Sequence, residues 1–544
     1  RPEAFKPGMW LLVLVLLTAA FSGALAATGS RGGITVALGA GAVVFVALLV
    51  ARRGLSEPGA LPRLGAAVAA LVVTTLALST PLRSRAEATG GGGLPPELCP
   101  AVSQASTADS NRFRVLTWQG TLNMGKRRPL LGWGAGTFET AFPPNQVAGY
   151  TRQAHNSYLQ LFAEQGAAGP VAWGLLLLCA LVGCFLFPRG PEWAWSAAVG
   201  GALGAAAAHN LLDSLLFVPA VAFLTWALLG LGMAGWGVRA TESQGSGDGG
   251  RRRDRGTGRD AKRARMVWVG VAVLGLFAAG WHALGRGLYQ SGRAELESGH
   301  APAAAETLAA ARSFLPLDHQ VAIADAQALR AQGRWQEALD EGLRALRLAP
   351  YRPPTYQFIG EMRKFLGRPD IALLQYEAGL KVAPREVQLL YPYALLLEQQ
   401  GRRAEALDVY GRIVAVEESP MGRVRALGEV RDYRFARAHE ALAGEAVLKQ
   451  RPAEAFEHRK AAACLLGERR RLFTANPVSY VSMGDWDPQT EHELRGEEER
   501  LWQQLAQEYR ARGENRLAEL SSEQAADVEK SREPLEKIIE ELGR

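Results

Sequence analysis

Apolar runs dominate the first half of the chain, and a charged helical pattern dominates the second half. Uncharged runs of roughly transmembrane length, about 17–25 residues, occur at residues 9–27, 33–51, 65–82, 170–187, 194–209, 215–237 and 266–285. The run at 194–209 is short and rich in alanine and glycine, which suits close helix packing in lipid. Buried core helices of a soluble protein are the alternative, but so many runs in one chain favour a polytopic membrane domain.

Basic residues in two segments predict the orientation of these runs. Arg52, Arg53 and Arg63 follow the second run, and the segment 238–265 carries nine lysines and arginines against four acidic residues. Both segments are predicted to be cytoplasmic, because short loops rich in lysine and arginine stay on that side. Much of the net charge of +7 is therefore assigned to topology rather than to nucleic-acid binding. The glycine, serine and arginine content of 238–265 predicts a disordered linker.

A 34-residue period begins after residue 286. A glycine recurs at this spacing, an alanine follows each glycine after five positions, and a proline closes three of the four units. This pattern is the tetratricopeptide signature, in which pairs of helices stack and leave a concave surface for a protein partner. The positions are Gly299, Gly333, Gly367 and Gly401, then Ala304, Ala338, Ala372 and Ala406, then Pro316, Pro350 and Pro384, with Glu418 in the fourth unit.

These patterns predict an all-α protein, a transmembrane helical bundle followed by an extracytoplasmic tetratricopeptide-type solenoid. Weaker echoes of the repeat, Pro452 with Ala455 and Gly513 with Ala518, indicate degenerate or capping units. The expected organisation is a membrane domain at 1–237 with an outer loop at 83–168, a cytoplasmic linker at 238–265, a last span at 266–285, repeats at 286–420 and a degenerate helical region at 421–544.

The cysteines and the first residues add two expectations. The four cysteines, Cys99, Cys179, Cys184 and Cys464, show no metal-binding spacing, so we expect neither a metal site nor a disulfide framework. The chain starts at Arg1, directly before an apolar run, which indicates a truncated N-terminus.

Three polar sites lie on the predicted outer side. Arg31 stands between the first two runs, Arg114 precedes Trp118 by one helical turn, and His155 is followed by Asn156. Each has an ordinary interpretation when taken alone. An arginine at a span end anchors the helix at the interface, a tryptophan there does the same, and a loop histidine is usually a surface residue.

The order of these segments is more informative than any one of them. After Arg31 come R-x-x-x-W at 114–118, PLLGWGAGTF at 129–138, HNSYLQLFAEQG at 155–166 and HNLLD at 209–213. Together they resemble the O-antigen ligase and Wzy-type polymerase family, which also includes bacterial O-oligosaccharyltransferases. The resemblance covers about residues 9–235 and is sharpest at 112–169. Members of that family have further spans before the first motif, which again indicates a missing N-terminal part.

The resemblance implies glycosyl transfer without a metal or cofactor. The donor is a glycan on an undecaprenyl diphosphate-type lipid, and the reaction takes place at the outer face of the bacterial inner membrane, with the repeats in the periplasm. Arginine grips a diphosphate with two donors and stays charged, and neutral histidine is a suitable base near pH 7. The implied catalytic residues are Arg31, Arg114 and His155, and the implied binding residues are Asn156, which orients His155, and Trp118, Gly132, Gly134, Gly136 and Arg152.

Several alternatives remain open at this stage. The same diphosphate grip and base would serve a ligase, a polymerase or an O-oligosaccharyltransferase that modifies protein. A membrane-anchored repeat scaffold without its own catalysis is the main rival. A flippase is disfavoured because the apolar runs carry few charged residues near their centres. His209 and Asp213 lie four positions apart and are expected to share a helix face, where helix packing or a structural hydrogen bond is favoured over direct catalysis.

Overall fold

The computed structural model describes residues 94–99, 107–147, 151–186, 193–211, 213–218, 221–233, 257–419, 432–475 and 487–542. All regular structure within these ranges is helical, as predicted. Arg31 and the apolar runs at 9–27, 33–51 and 65–82 lie outside the described residues. None of the helices described is both long and apolar enough to cross a bilayer.

The helices are numbered in chain order. They are α1 (Thr107–Arg127), α2 (Phe138–Ala141), α3 (Ser157–Gln165), α4 (Ala168–Leu186), α5 (Trp193–His209), α6 (221–233), α7 (Thr257–Glu297), α8 (Ala301–Phe314), α9 (His319–Ala331), α10 (Trp335–Leu348), α11 (Pro353–Phe365), α12 (Pro369–Val382), α13 (Val387–Gln399), α14 (Arg403–Glu418), α15 (Tyr433–Leu448), α16 (Pro452–Ala475), α17 (Pro488–Ala511) and α18 (Asn515–Leu542).

The chain forms two compact units. The first, called here the motif unit, includes Thr117–Phe138 and Thr151–Gly249. Its helices α4 and α5 coincide closely with the apolar runs at 170–187 and 194–209, whereas the run at 215–237 begins with a 3-10 turn at Leu215–Phe217 before α6. Apolar side chains of α4, α5 and α6 form its core, among them Trp173, Ala180, Val199, Leu203 and Leu229.

The second unit, called here the repeat unit, includes Gly93–Leu116, Glu139–Tyr150 and Gly250–Arg544. Its helix α7 runs without a break from Thr257 to Glu297. It therefore combines the end of the predicted linker, the predicted last span and the first helix of the repeats. Residues 238–256 of the predicted linker lie outside the described residues.

The repeat glycines and alanines hold the positions that their spacing predicts. Gly299, Gly333, Gly367 and Gly401 all have positive φ, between 71° and 82°. Each ends the first helix of a pair. At Gly333, for example, the amide of Gly333 donates to Arg330 O and that of Arg334 to Leu329 O, which is a Schellman ending. The four alanines that follow are all 0% exposed, so the two helices of each pair pack closely.

The C-terminal region continues the stack with longer helices. The pairs α15–α16 and α17–α18 keep the weaker repeat signals, because Ala455 and Ala518 are buried and Gly513 has a positive φ. Their core joins that of the last regular repeats and contains Trp502, which is fully buried. The predicted repeat pattern therefore extends through the described part of the C-terminal region.

The expectation that the chain forms no disulfide is wrong. Cys99 and Cys464 are bonded, with 5.8 Å between their Cα atoms. Both half-cystines lie in the hydrophobic core of the repeat unit, together with Leu98. This pair has no local signal in the sequence, because 365 positions separate the two cysteines.

The burial of Asp325 predicts that the stability of the repeats depends on pH. Asp325 on α9 is 3% exposed and lies 3.3 Å from Arg312 Nη1. Burial raises the pKa of Asp325 to about 6, from an ordinary value of 3.8, although Arg312 opposes the shift. Between these values the unfolded carboxyl is ionised while the folded one is protonated. The protonated Asp325 therefore stabilises the fold fully below the pKa of the unfolded carboxyl, and this stabilisation is lost as pH rises through about 6.

We expect the free energy of opening of α9, measured by hydrogen exchange, to fall by about 3 kcal/mol or less between pH 4 and pH 7. Asp325→Asn keeps the size of the side chain but cannot titrate, so its α9 should lack this decline. An equal decline in the wild type and in Asp325→Asn would show that another group is responsible.

Candidate functional site

Helix α3 connects the parts of the candidate site. Its N-cap is Asn156, whose Oδ1 accepts the backbone N–H groups of Tyr158 and Leu159, both at 3.0 Å. The side-chain amide of Asn156 also donates to Leu211 O at 2.9 Å. These contacts satisfy amides that a helix start leaves unpaired. Asn156 therefore positions α3, and these three contacts go to the backbone rather than to the imidazole that it was predicted to orient.

His155 precedes this cap in an unusual backbone conformation. Its φ is 52°, in the left-handed region that few residues other than glycine adopt. Its backbone oxygen accepts the indole N–H of Trp118 at 3.2 Å. The imidazole is half-buried, and its Nδ1 lies 3.5 Å from Asp213 Oδ1. Asp213, rather than Asn156, is thus the polar side chain placed beside the predicted base.

The turn that carries Asp213 is bound to the start of α3. Helix α5 ends at His209, and Asp213 lies in the turn after it rather than on the same helix. The Ser157 hydroxyl donates to Asn210 Oδ1 at 2.5 Å, and the Ser157 amide donates to Asn210 O at 2.9 Å. The Asp213 carboxylate itself accepts the amide of Ser214 at 2.8 Å. These bonds place Asp213 beside His155 across 58 positions of sequence.

Residues 129–138, called here the glycine loop, pack against the other end of α3. The amide of Trp133 donates to Ala163 O at 3.2 Å, and that of Gly134 donates to Glu164 O at 2.7 Å. A Cβ atom on Gly132 would lie 2.3 Å from the Glu164 carbonyl. The loop thereby caps carbonyls that the end of a helix leaves unpaired.

All three predicted glycines of this loop have positive φ. The values are 65° at Gly132, 112° at Gly134 and 73° at Gly136. Glycine adopts such conformations without the steric cost that a side chain imposes. The close backbone approach at Gly132 is to α3, and a contact of the loop with substrate stays a prediction.

Glu164 connects the glycine loop with the His155 end of α3. Its carboxylate is 1% exposed and accepts the amides of Gly136 at 2.7 Å and Phe138 at 3.2 Å, and the side-chain amide of Gln160 at 3.2 Å. Burial raises the pKa of Glu164, and these three donors oppose the shift. Gln160 Oε1 in turn accepts the amide of Ala154, next to His155, at 3.1 Å.

Glu164 and Gln160 were not predicted as site residues, and Asp213 was not predicted to lie beside His155. A signal for the first two was present, because residues four apart share one face of a helix and both are polar within an otherwise apolar turn. The pairing of Asp213 with His155 had no such signal, since it depends on the turn after α5.

The three predicted arginines differ in what the structure describes of them. Arg114 is half-buried on α1, one turn before Trp118, and belongs to the repeat unit. Arg152 is exposed, and Arg31 lies outside the described residues. The structure therefore brings Trp118 and Asn156 together with His155 at the start of α3 and places the glycine loop at the end of the same helix, while the arginine sites remain predictions.

The arrangement suits proton transfer. A carboxylate beside Nδ1 of an imidazole favours the tautomer that leaves Nε2 free to accept a proton, and it stabilises the imidazolium that then forms. His155 and Asp213 have this relation, with both side chains about one-third exposed. A base that is held but still accessible can reach a hydroxyl group of a bound molecule.

Comparison with known families supports the motifs. The family model described as O-antigen ligase matches residues 13–174, and the model described as tetratricopeptide repeat matches residues 289–353 and 364–420. The chain carries an O-antigen ligase region followed by tetratricopeptide repeats. The resemblance inferred from the motifs is thus confirmed. The O-antigen ligase match includes Arg31, Arg114, His155 and Glu164 but ends before Asp213.

Solved structures similar to the chain are helical-repeat proteins. A tetratricopeptide protein from Parabacteroides merdae is 19% identical, with 47% of this chain and 98% of that chain covered and a TM-score of 0.27. A thermophilic tetratricopeptide protein from Thermus thermophilus is 19% identical, with 36% of this chain and 100% of that chain covered and a TM-score of 0.26. The MamA protein is 11% identical, with 38% of this chain and 97% of that chain covered and a TM-score of 0.26. No curated protein matches the chain.

The packing of the glycine loop predicts the effect of two substitutions. Gly132→Ala places a Cβ against the Glu164 backbone in a left-handed conformation, and we expect a loss of about 2 kcal/mol or more. Gly136→Ala has a similar φ but meets no atom within 4 Å, so we expect about 1 kcal/mol. Thermal unfolding and hydrogen exchange at Trp133 and Gly134 measure the difference. Equal losses would contradict the close packing of Gly132 on α3.

Proposed function

We propose that this protein transfers a glycan from a polyprenyl diphosphate lipid to an acceptor hydroxyl at the outer face of the bacterial cytoplasmic membrane. The O-antigen ligase match supports a ligase-type activity. The observation that carries the finer proposal is the His155–Asp213 pair, which supplies a base with a charge-compensating partner. An acceptor hydroxyl needs such a base, whereas a passive anchor does not.

The proposed reaction has one bond-forming and one bond-breaking event. His155 Nε2 removes the acceptor hydroxyl proton while the acceptor oxygen attacks the anomeric carbon of the glycan. The bond between that carbon and the diphosphate oxygen breaks, and its electron pair leaves with the lipid diphosphate. Asp213 offsets the positive charge of the imidazolium. Arg31 and Arg114 offset the charge that develops on the diphosphate.

Three binding roles complete the proposal. The amides of the glycine loop, through Gly132, Gly134 and Gly136, line the approach of the lipid headgroup. Arg152 is exposed and serves as a further phosphate contact. Trp118 and Asn156 hold His155 and α3 in place, as their hydrogen bonds indicate.

Two observations support the proposed membrane location, namely exposed apolar side chains and the disulfide. Helices α4, α6 and α7 present large apolar side chains to their surroundings, for example Leu175, Phe223 and Leu274. A surface of this kind suits contact with lipid. The Cys99–Cys464 bond supports an oxidising compartment for both the outer loop and the C-terminal region. This agrees with the orientation predicted from the lysines and arginines, and it supports a location of the repeats outside the cytoplasm.

A second candidate function is a membrane-anchored scaffold for polysaccharide assembly. The observation that favours it is the repeat stack, since tetratricopeptide surfaces bind protein partners. Transfer to a protein hydroxyl, as in O-oligosaccharyltransferases, is a variant of the main proposal that differs only in the acceptor.

The deciding experiment measures glycan transfer by the full-length protein reconstituted with a polyprenyl diphosphate-linked glycan. His155→Ala removes the base, so we expect transfer to fall by roughly 10²–10⁴-fold. Arg114→Ala and Arg31→Ala should be similarly inactive, because each removes a diphosphate contact. Arg112→Ala, an exposed arginine two positions from Arg114, is the matched control and should stay near wild type.

Transfer by the wild type and by Arg112→Ala, with the other three variants inactive but folded, supports the proposal, and the acceptor then identifies the subclass. Equal behaviour of all five proteins would contradict the site assignment and favour the scaffold.

A further inference from the structure

Part of the predicted outer loop is built into the core of the repeat unit. Residues 94–99 end in Cys99, which is bonded to Cys464 on α16. Leu98 is fully buried in the same core. Leu94 fills the space over Gly467, where an added Cβ would lie 2.9 Å from Leu94 Cδ2. A short stretch of the loop is therefore a structural component of the repeat unit.

A second part of the same loop lies on the repeats through an ion pair. Glu139 Oε1 lies 3.1 Å from Arg352 Nη1, and the two side chains are only 23% and 20% exposed. The same Arg352 nitrogen lies 3.0 Å from His319 Nε2. Burial and the Arg352 guanidinium lower the pKa of His319, so a neutral imidazole can accept from Arg352. Close to Glu139 in sequence, Phe142 is almost completely buried.

The repeat residues in this contact come from the first helices of two successive repeats. His319 is the first residue of α9, and Arg352 is the N-cap residue of α11. The start of a helix carries partial positive charge, which favours a carboxylate nearby. Glu139 thus lies beside a guanidinium at the start of α11, and 213 positions of sequence separate it from Arg352.

We propose that the repeats bind the outer loop of their own chain, residues 94–99 and 139–147, and so act in cis as a clamp on that loop. The clamp holds the loop on both sides of α1, the helix that carries Arg114. We assign the loop held in this way a role in glycan transfer, and this part of the proposal rests on the proposed function. A foreign partner that used the His319–Arg352 surface would have to displace Glu139.

The covalent half of the clamp can be tested without an activity assay. We would insert a specific protease site within residues 238–256 and cleave the full-length protein. The two fragments should migrate together on a non-reducing gel and separate after reduction, because Cys99 and Cys464 then lie on different fragments. Cys464→Ser should separate in both cases, whereas Cys179→Ser, the matched control, should behave like wild type. If the two wild-type fragments separated without reductant, the covalent half of the clamp would be ruled out.

The ionic half can be tested by hydrogen exchange of residues 139–147. Arg352→Ala should raise their exchange by roughly fivefold, as expected for loss of a partly buried ion pair. Glu139→Gln removes the charge from the loop side, leaves the repeats unchanged, and should have the same effect. Arg347→Ala, an exposed arginine at the end of α10, is the control and should leave the exchange unaltered.

Combining Glu139→Arg with Arg352→Glu should restore slow exchange. Unchanged exchange in Arg352→Ala and Glu139→Gln would overturn the proposal, as would protection that appears only when another protein is added. Both readouts are independent of transfer. A wild type that forms the clamp but transfers no glycan would contradict the proposed function and leave the clamp standing.

Discussion

Both ends of helix α3 are closed by other parts of the chain, and the candidate site depends on this. A helix leaves amides unpaired at its start and carbonyls unpaired at its end. At the start, Asn156 caps the amides and the turn around Asn210 binds Ser157. At the end, the glycine loop donates to carbonyls of Ala163 and Glu164. Satisfying a nine-residue helix therefore assembles three segments that are distant in sequence.

The chemistry follows from this assembly. His155 is the residue directly before the cap, and it keeps a left-handed backbone conformation that costs energy unless the surroundings impose it. Trp118 holds its carbonyl and Asp213 lies beside its ring. Glu164 and Gln160 extend the hydrogen-bonded chain from the glycine loop to Ala154. The proposed base is therefore held by Trp118 and lies beside Asp213, and the hydrogen bonds from the glycine loop end at its neighbour Ala154.

The parts that the sequence predicted are those with local physical signals. Each repeat glycine has a positive φ that a side chain would disfavour, and each repeat alanine is fully buried, so spacing alone locates them. The glycines of the glycine loop also stand out in the sequence, and all three have positive φ. Helix α3 itself was not predicted, because it lies within the segment that was expected to be an outer loop. Three long-range contacts had no local signal: Cys99 with Cys464, Asp213 with His155, and Glu139 with Arg352. Each depends on the finished fold, and the first was predicted not to form.

The central claim is that His155 and Asp213 act as one unit, and a double-mutant cycle on the rate of glycan transfer tests it most directly. In the wild-type background, Asp213→Asn should lower the rate by roughly 10²-fold, since it removes the charge that compensates the imidazolium. In the His155→Ala background the same substitution should change the rate little, because the group that Asp213 serves is already absent. Equal losses in both backgrounds would show that Asp213 acts independently of His155 and would contradict this account.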